Sequence, residues 1–481
     1  MGVVADLAGA AGVLSWDRET VMPAGGSEGR ARQLGTLAAL HHRELVREDA
    51  GEALAELAGD ESLDDQAKAA VRLAARDRDR ALQVPEALVR EISEACSRCV
   101  AAWMEARAAD DFGLYATPLA RVVELKRREA EAIGVGDEPY DALLDAFEPG
   151  ATTAELEPVF ADLRARLTPL VAQAAAAAPT RLPERTWSEA GQMAIAREIA
   201  EMMGFDMAHG LIARSAHPFT GGMHIGDVRF TTRLDPTSPL SNISAVMHEL
   251  GHALYEQGFP PSADRTPVFD APSLGAHESQ SRFWENQIGR TAAFWGRLEP
   301  AMRRTFPEAM SGMDGHLLHR AARVVAPSLI RVEADEVTYN LHIVLRFQLE
   351  LALLRGELDV ADLPGAFSDG MEDVLGIRPP SDADGVMQDI HWADGLFGYF
   401  PTYTLGNLYS AQLAEAAQAD LGELEAVIEE GRFEEILGFM RDRIHRHGAE
   451  VPTRELMRQA TGRELDSDAL IAHLERGYLT A

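Results

Sequence analysis

Along most of the chain apolar residues return every three or four positions, within stretches dense in Ala, Leu, Glu and Arg, as in Asp64 to Arg80, Glu91 to Arg107 and Leu119 to Ile133. That period marks one face of an α-helix, and these residue types favour helices, so the pattern predicts a mainly α fold. Short signals punctuate it at Met22-Pro23-Ala24-Gly25-Gly26, Glu148-Pro149-Gly150 and Pro379-Pro380. Thr152 with Glu155, just ahead of Leu156, offers a capping box for a new helix. The pattern changes between His217 and Arg233. There glycines bracket Met223 to Ile225, and Val228, Phe230 and Thr232 alternate with Asp227, Arg229 and Thr231, which predicts one small antiparallel hairpin or ribbon. The Ala-rich run Ala172 to Pro183, with its two prolines, is the best linker candidate, but no shift in composition marks a boundary there. A single domain over residues 1–481 is expected, subdivided, if at all, near 172–183.

Composition narrows the function classes. With 481 residues, 46% of them hydrophobic, the chain can bury a large core. Lys and Arg number 45 against 77 Asp and Glu, a formal net charge of −32 that repels phosphate backbones and anionic lipid, so neither nucleic acid nor membrane is expected as a partner. Cys96 and Cys99 are the only cysteines, too few for a disulfide framework or a four-cysteine zinc site. They lie in a helical segment without a preceding strand, against a thioredoxin-type motif and in favour of buried thiols in a reducing compartment. The opening MGVVADLAGAAGVLSWD has no basic leader and carries Asp6 inside its apolar stretch, so it reads as a buried first helix and not as a signal peptide. No run of 18 or more apolar residues occurs. A soluble, cytoplasmic protein is expected.

The sharpest chemical signal is Met247-His248-Glu249-Leu250-Gly251-His252-Ala253-Leu254-Tyr255. On a helix His248 and His252 share one face and can meet one Zn²⁺, while Glu249, one step round, can reach a water on the metal. Ser241 or Asn242 can cap the start of this helix and Gly258 can end it. A catalytic zinc needs a third protein ligand. Glu278 is the first candidate, in a helical segment that a loop from Gly258 to Ser273 would bring back; its neighbour His277 is the alternative, about 100° round the helix, and spacing leaves both open.

With its neighbours, this motif resembles the carboxypeptidase Taq family of metallocarboxypeptidases. The resemblance rests on His217-Pro218-Phe219, Asp227-Val228-Arg229-Phe230-Thr231, the zinc motif, His277-Glu278-Ser279-Gln280, Ile330-Arg331-Val332-Glu333-Ala334-Asp335 and Gly385-Val386-Met387-Gln388-Asp389-Ile390-His391-Trp392, in that order. Ser15-Trp16-Asp17, Met22-Pro23 and Tyr140 to Asp145 extend it over nearly the whole chain. It implies a mostly helical fold with a deep groove, one zinc or cobalt ion held by His248, His252 and Glu278, and Glu249 as general base. It also implies release of single C-terminal residues from peptides with broad side-chain tolerance, and a homodimer. The family's leading helix looks shortened here, which bears on the lip of the groove.

The remaining motif residues carry physical readings of their own. Arg331 and Arg229 each offer a planar fork suited to a terminal carboxylate, and each has a structural alternative, an ion pair with Asp335 or Asp227 respectively. His391, Tyr399 and Tyr403 can donate to the oxyanion formed when water attacks a carbonyl. His217, Asp227, Thr231, Gln388 and Asp389 complete the candidate substrate-binding set. His41-His42 and His316 with His319 read as helix-face histidines without a third ligand nearby. Two rival functions remain: a zinc endopeptidase or oligopeptidase on the same scaffold, and an inactive helical binding protein with a structural metal. Glu249 argues against the second, since metal retention alone needs no base.

Overall fold

The helical period is realised almost throughout. The computed structural model describes residues 1–134, 136, 138–176 and 179–479, and they form helices with one small three-stranded sheet. The segments expected to be helical lie within Asp65–Gln83, Glu86–Ala109 and Gly113–Ile133, apart from Asp64, one residue ahead of the first. The chain divides into two compact units, residues 1–81, 180–322 and 409–464 in the first and residues 82–179, 323–408 and 465–481 in the second. One of the crossings falls inside the Ala172 to Pro183 stretch. The helix Thr153–Ala174 ends there, and residues 177 and 178 of that stretch lie outside the described residues.

In the first unit the sheet has strands β1 (Gly210–Arg214), β2 (Thr220–His224) and β3 (Asp227–Thr232), in the order β1-β3-β2. β2 and β3 form the expected antiparallel hairpin, irregular between Gly222 and His224, and β1 adds to the other side of β3 in parallel. β1 was not anticipated, because five residues without clean alternation give no local signal for a pairing made across a crossover. Val228, Phe230 and Thr232 are buried, and the helix Leu240–Glu256 packs on β2 and β3. Neither Ser241 nor Asn242 caps this helix, whose first turn follows Pro239. Asn242 instead donates to Thr232 Oγ1 (2.9 Å) and to the Arg233 carbonyl (3.0 Å), tying helix to sheet. The helix ends at Glu256, short of Gly258, which is small because His445 Nδ1 would lie 2.5 Å from any Cβ there. The first helix, Gly2–Thr20, is not the buried element its apolar run suggested. Only Trp16 is buried, since much of the segment is Ala and Gly, and Gly9 and Gly12 lie against Met223 of β2.

The second unit is built around the helix Tyr339–Arg355, which is buried on every side, with 14 of its 17 residues inaccessible. Cys96 and Cys99 are buried in Glu86–Ala109, and burial pushes the Cys99 thiol up to about 12, so they are packing groups. Helix Thr153–Ala174 begins where the capping box foretold but by another cap. Thr152 Oγ1 meets the Glu155 carboxylate, whereas Asp141 Oδ1 accepts from Thr153 N (2.7 Å) and Thr153 Oγ1 (2.8 Å).

Gly251, between the two zinc-motif histidines, sets how closely the next helix, Leu274–Arg282, can approach. A Cβ on it would lie 2.5 Å from the Gln280 carbonyl oxygen and 2.6 Å from Ser281 Cα, backbone atoms that cannot turn aside. Helix propensity favours Ala over Gly by about 1 kcal/mol, and overpacking costs about 1–3 kcal/mol or more, so the clash prevails. Gly251→Ala should lose at least ~1 kcal/mol in urea unfolding and weaken metal binding. A variant as stable as the parent would contradict the close approach.

Candidate metal centre

The helix Leu240–Glu256 presents His248 and His252 one turn apart, and the helix Leu274–Arg282, capped by Ser273 Oγ accepting from Ala276 N, presents Glu278 toward them. Glu278 Oε2 lies 3.7 Å from His248 Nε2 and 3.4 Å from His252 Nε2. The three ligand atoms fall within 4.8 Å of one another, a spacing that one ion can span. His277 is turned away from this point. Its ring stacks on that of His252 at 4.4 Å and its Nε2 meets Glu256 Oε1 at 3.2 Å.

The far side of each ligand is also held. His248 Nδ1 donates to Glu285 Oε2 (2.9 Å), and His252 Nδ1 donates to the His277 carbonyl (3.1 Å). With Nδ1 carrying the proton, the neutral form of each ring offers its Nε2 lone pair to a metal. Glu285 also accepts from Ser244 Oγ (2.7 Å) and from Arg282 (3.3 Å). Glu278 takes Arg282 Nε at 2.6 Å on one oxygen and Ser281 Oγ at 3.0 Å on the other. Burial alone would raise the Glu278 carboxyl, but Arg282, His248 and His252 hold it well below the ordinary carboxylate range. Glu285, equally opposed by burial, is held at about 2 by Arg282 and His248. Burial, assisted by His277, lowers His252 to about 3, a neutral ligand. Burial opposes charge on His248 too, yet Glu278 and Glu285 outweigh it and raise that imidazole to about 9. Two imidazoles and one carboxylate, oriented by a carboxylate and a carbonyl, are the donor chemistry of a catalytic divalent-metal site.

Glu249 is buried beside this set without joining it. Its Oε2 accepts from Thr220 Oγ1 at 2.7 Å, and the same hydroxyl is 2.9 Å from its carbonyl. Burial pushes its carboxyl upward, against the pull of His248 and Thr220. Thr220, Glu285, Ser244 and Arg282 were missed in the sequence. Glu285 had a readable signal, standing two helical turns beyond Glu278, though the segment Phe283–Ile288 widens into a π-helical turn. Thr220 gave none, because only the hairpin brings it under the zinc-motif helix.

The other candidates separate by unit. In the first, Arg229 makes a two-pronged bond to Asp227 (2.6 and 2.7 Å) and lies over the Trp16 ring at 4.8 Å, so the ion pair weighed as its alternative is present. Thr231 is buried, its hydroxyl 2.6 Å from Ser215 Oγ and accepting from Phe219 N (3.0 Å). His217 is exposed, and its carbonyl accepts from Ser215 Oγ. In the second unit Arg331, Gln388, Asp389, His391 and Tyr403 come together, with Tyr399 packed on His391 at 5.5 Å. Arg331 pairs with Asp389, not with Asp335, whose carboxylate caps the backbone at Ala326, Val337 and Thr338. Gln388 Oε1 accepts from Arg331 N (2.8 Å) and its amide donates to the Leu329 carbonyl (3.0 Å). His391 Nε2 is 3.5 Å from Tyr403 Oη, and burial lowers the imidazole to about 4, so it is neutral.

Similarity to known proteins covers the whole site. Residues 2–478 match the family described as carboxypeptidase Taq (M32) metallopeptidase. Thermostable carboxypeptidase 1 of Thermus thermophilus is 42% identical, over 98% of this chain and 95% of its own. Carboxypeptidase 1 of Bacillus subtilis is 36% identical, over 98% and 94%. The crystal structure of an M32 carboxypeptidase from Deinococcus radiodurans superposes with a TM-score of 0.97 at 37% identity, over 99% of this chain and 97% of that one.

The network around the ligands yields a prediction. Glu285→Ala removes no ligand but frees the His248 ring, so affinity for Zn²⁺ in chelator competition should fall by about 10–100-fold. Glu278→Ala should lose more than that, and His277→Ala, which leaves the main-chain carbonyl in place, less. Equal affinities for the Glu278 and His277 variants would remove Glu278 as a ligand.

Proposed function

Because the chain belongs to the carboxypeptidase Taq (M32) family, and is therefore a metallocarboxypeptidase, we propose that it releases single residues from free peptide C-termini with broad side-chain tolerance. The observation that carries this reading is the convergence of His248, His252 and Glu278 beside a buried, unliganded Glu249. Zn²⁺ is the ion we assign to the site, with Co²⁺ as a substitute, one per chain. Such an ion lowers the pKa of a coordinated water to about 7 and polarises the scissile carbonyl. Glu249 takes a proton from the attacking water and passes it to the leaving amine, and Thr220 holds the carboxylate in place for both transfers. His391, Tyr399 and Tyr403 are assigned as donors to the developing oxyanion, a role that the neutral state of His391 suits.

Recognition of a free terminus requires a cationic group for the terminal carboxylate. Arg331 is the first assignment. Of its five N–H donors, two go to Asp389 (3.0 and 2.8 Å) and one to Tyr339 Oη (3.1 Å), which leaves two, one on each terminal nitrogen. Arg229, tied twice to Asp227, is the second. The remaining motif residues have supporting parts: Asp389 and Gln388 hold Arg331, while Thr231 and Asp227 lie on β3 and His217 in the loop that leads into β2. The family resemblance supports a homodimer, and the net charge of −32 with two buried thiols supports a reducing, cytoplasmic setting without nucleic acid.

Two expectations test this. Glu249→Gln keeps shape and ligands, so bound metal should persist while kcat falls by at least ~10²-fold. Loss of metal together with activity would make Glu249 structural. Peptides amidated at the C-terminus should be cut roughly 10- to 150-fold less efficiently in kcat/KM than free acids, the scale of a charged hydrogen bond, and Arg331→Ala should remove most of that difference. Equal cleavage of both peptides would favour the endopeptidase.

A further inference from the structure

A second buried charged cluster lies wholly within the second unit, and one member has no part in the reading above. Arg346 sits on the central helix Tyr339–Arg355, 1% exposed. Its Nε donates to Asp389 Oδ2 at 2.7 Å, its Nη2 lies 2.6 Å from the same oxygen, and its Nη1 donates to the His342 carbonyl at 2.9 Å. Asp389 therefore stands between two guanidiniums, with Arg331 on Oδ1 and Arg346 on Oδ2. The rings of Phe400 and Phe367 lie 5.5 and 5.2 Å from Arg346, and those of Tyr403 and Phe400 lie 5.1 and 5.7 Å from Arg331.

The charge arithmetic is unusual for so buried a place. A single Arg–Asp pair is neutral overall and would be sufficient to fix Arg331. Here two cations share one carboxylate, and Asp389 is held far below the ordinary carboxylate range by both, against burial. His342 and His391 are kept neutral, at about 3 and about 4, by burial, with Arg346 also disfavouring charge on both. Glu350, one helical turn beyond Arg346, accepts from Tyr140 Oη, Trp392 Nε1 and Gly398 N; these bonds and Arg346 favour its charge, but burial outweighs them and raises it to about 7. An anion approaching the two remaining N–H groups of Arg331 comes close to Asp389 as well. Without Arg346 that second carboxylate would meet like-charge repulsion in a weakly screened interior.

We infer that Arg346 is a positioning residue for anion recognition: by holding the far oxygen of Asp389 it leaves the cluster net positive, so that Arg331 can take the terminal carboxylate of a substrate. The inference rests on the assignment of Arg331 made above. It adds that the charge available to the substrate is set by a residue whose own contacts go to Asp389 and the His342 carbonyl. The prediction specific to charge is a rescue. Arg346→Met leaves Arg331 facing Asp389 as a neutral pair, whereas Arg346→Met with Asp389→Asn restores one net positive charge while removing a further hydrogen-bonded partner.

The readout is the ratio of kcat/KM for a free-acid peptide to that for its amide, with KM and kcat resolved, in full-length protein whose metal content and thermal unfolding are matched to the parent. Arg346→Met should lower the ratio roughly tenfold, chiefly through KM of the free acid, the scale of one charge-assisted contact. The double variant should recover at least several-fold of that loss. A parental ratio in Arg346→Met, or a double variant no better than the single, would overturn the inference. Should Arg346→Met fail to fold, Arg346→Lys keeps the charge and should hold the ratio near the parent's; a ratio as low as that of Arg331→Ala would equally overturn it. Arg331→Ala separates the two levels. If that variant still discriminates acid from amide, the carboxylate assignment itself fails; if it does not, while Arg346→Met does, only the role of Arg346 fails.

Discussion

The burial of two carboxylates, Glu278 and Glu285, against one guanidinium, Arg282, is the constraint from which the metal centre follows. Ionised carboxylates are costly to bury unless paired and hydrogen-bonded, and here each has Arg282, a serine hydroxyl and an imidazole. The arrangement fixes one oxygen of Glu278 toward both imidazoles and turns His248 by its Nδ1. Close approach of the two helices, set by Gly251 against the backbone of Gln280 and Ser281, is what lets these short side chains meet. The hairpin then brings Thr220 under Glu249, so the candidate ligands and the proposed base are held by separate partners. Loss of a ligand's support and loss of the base's support should therefore have different signatures.

Much of this was legible because it is local. His248, Glu249 and His252 are set by the geometry of one helical turn, and the hairpin by alternation over a few residues. The choice between Glu278 and His277 was not legible from spacing. It is decided by the return of the second helix, which points one residue inward and leaves the other to stack on His252 and bond Glu256. The parallel strand β1 and the Asp141 cap were hidden for the same reason, since each joins residues distant in sequence. Asp389 replaced Asp335 as partner of Arg331 because the nearer aspartate is engaged in capping backbone amides.

Arg346 illustrates a signal present but unread. A helix apolar on nearly every side carries His342, Arg346 and Glu350 at four-residue spacing, a polar stripe through a buried element. Ionisable groups in such a place are retained only with partners, so the stripe announces a buried network before any partner is known. Around this stripe two guanidiniums, Arg331 and Arg346, share the one carboxylate of Asp389. On the reading proposed for Arg331, the anion favoured there is a substrate's terminal carboxylate.

The most direct measurement is the order in which products appear when a peptide of defined sequence is digested and sampled by mass spectrometry. The protein would be used as purified, after chelation, and after return of one equivalent of Zn²⁺. Metal-bound protein should yield a ladder shortened one residue at a time from the C-terminus, chelated protein none, and restored protein the same ladder. Internal fragments at the earliest times, or a ladder indifferent to chelation, would contradict the account.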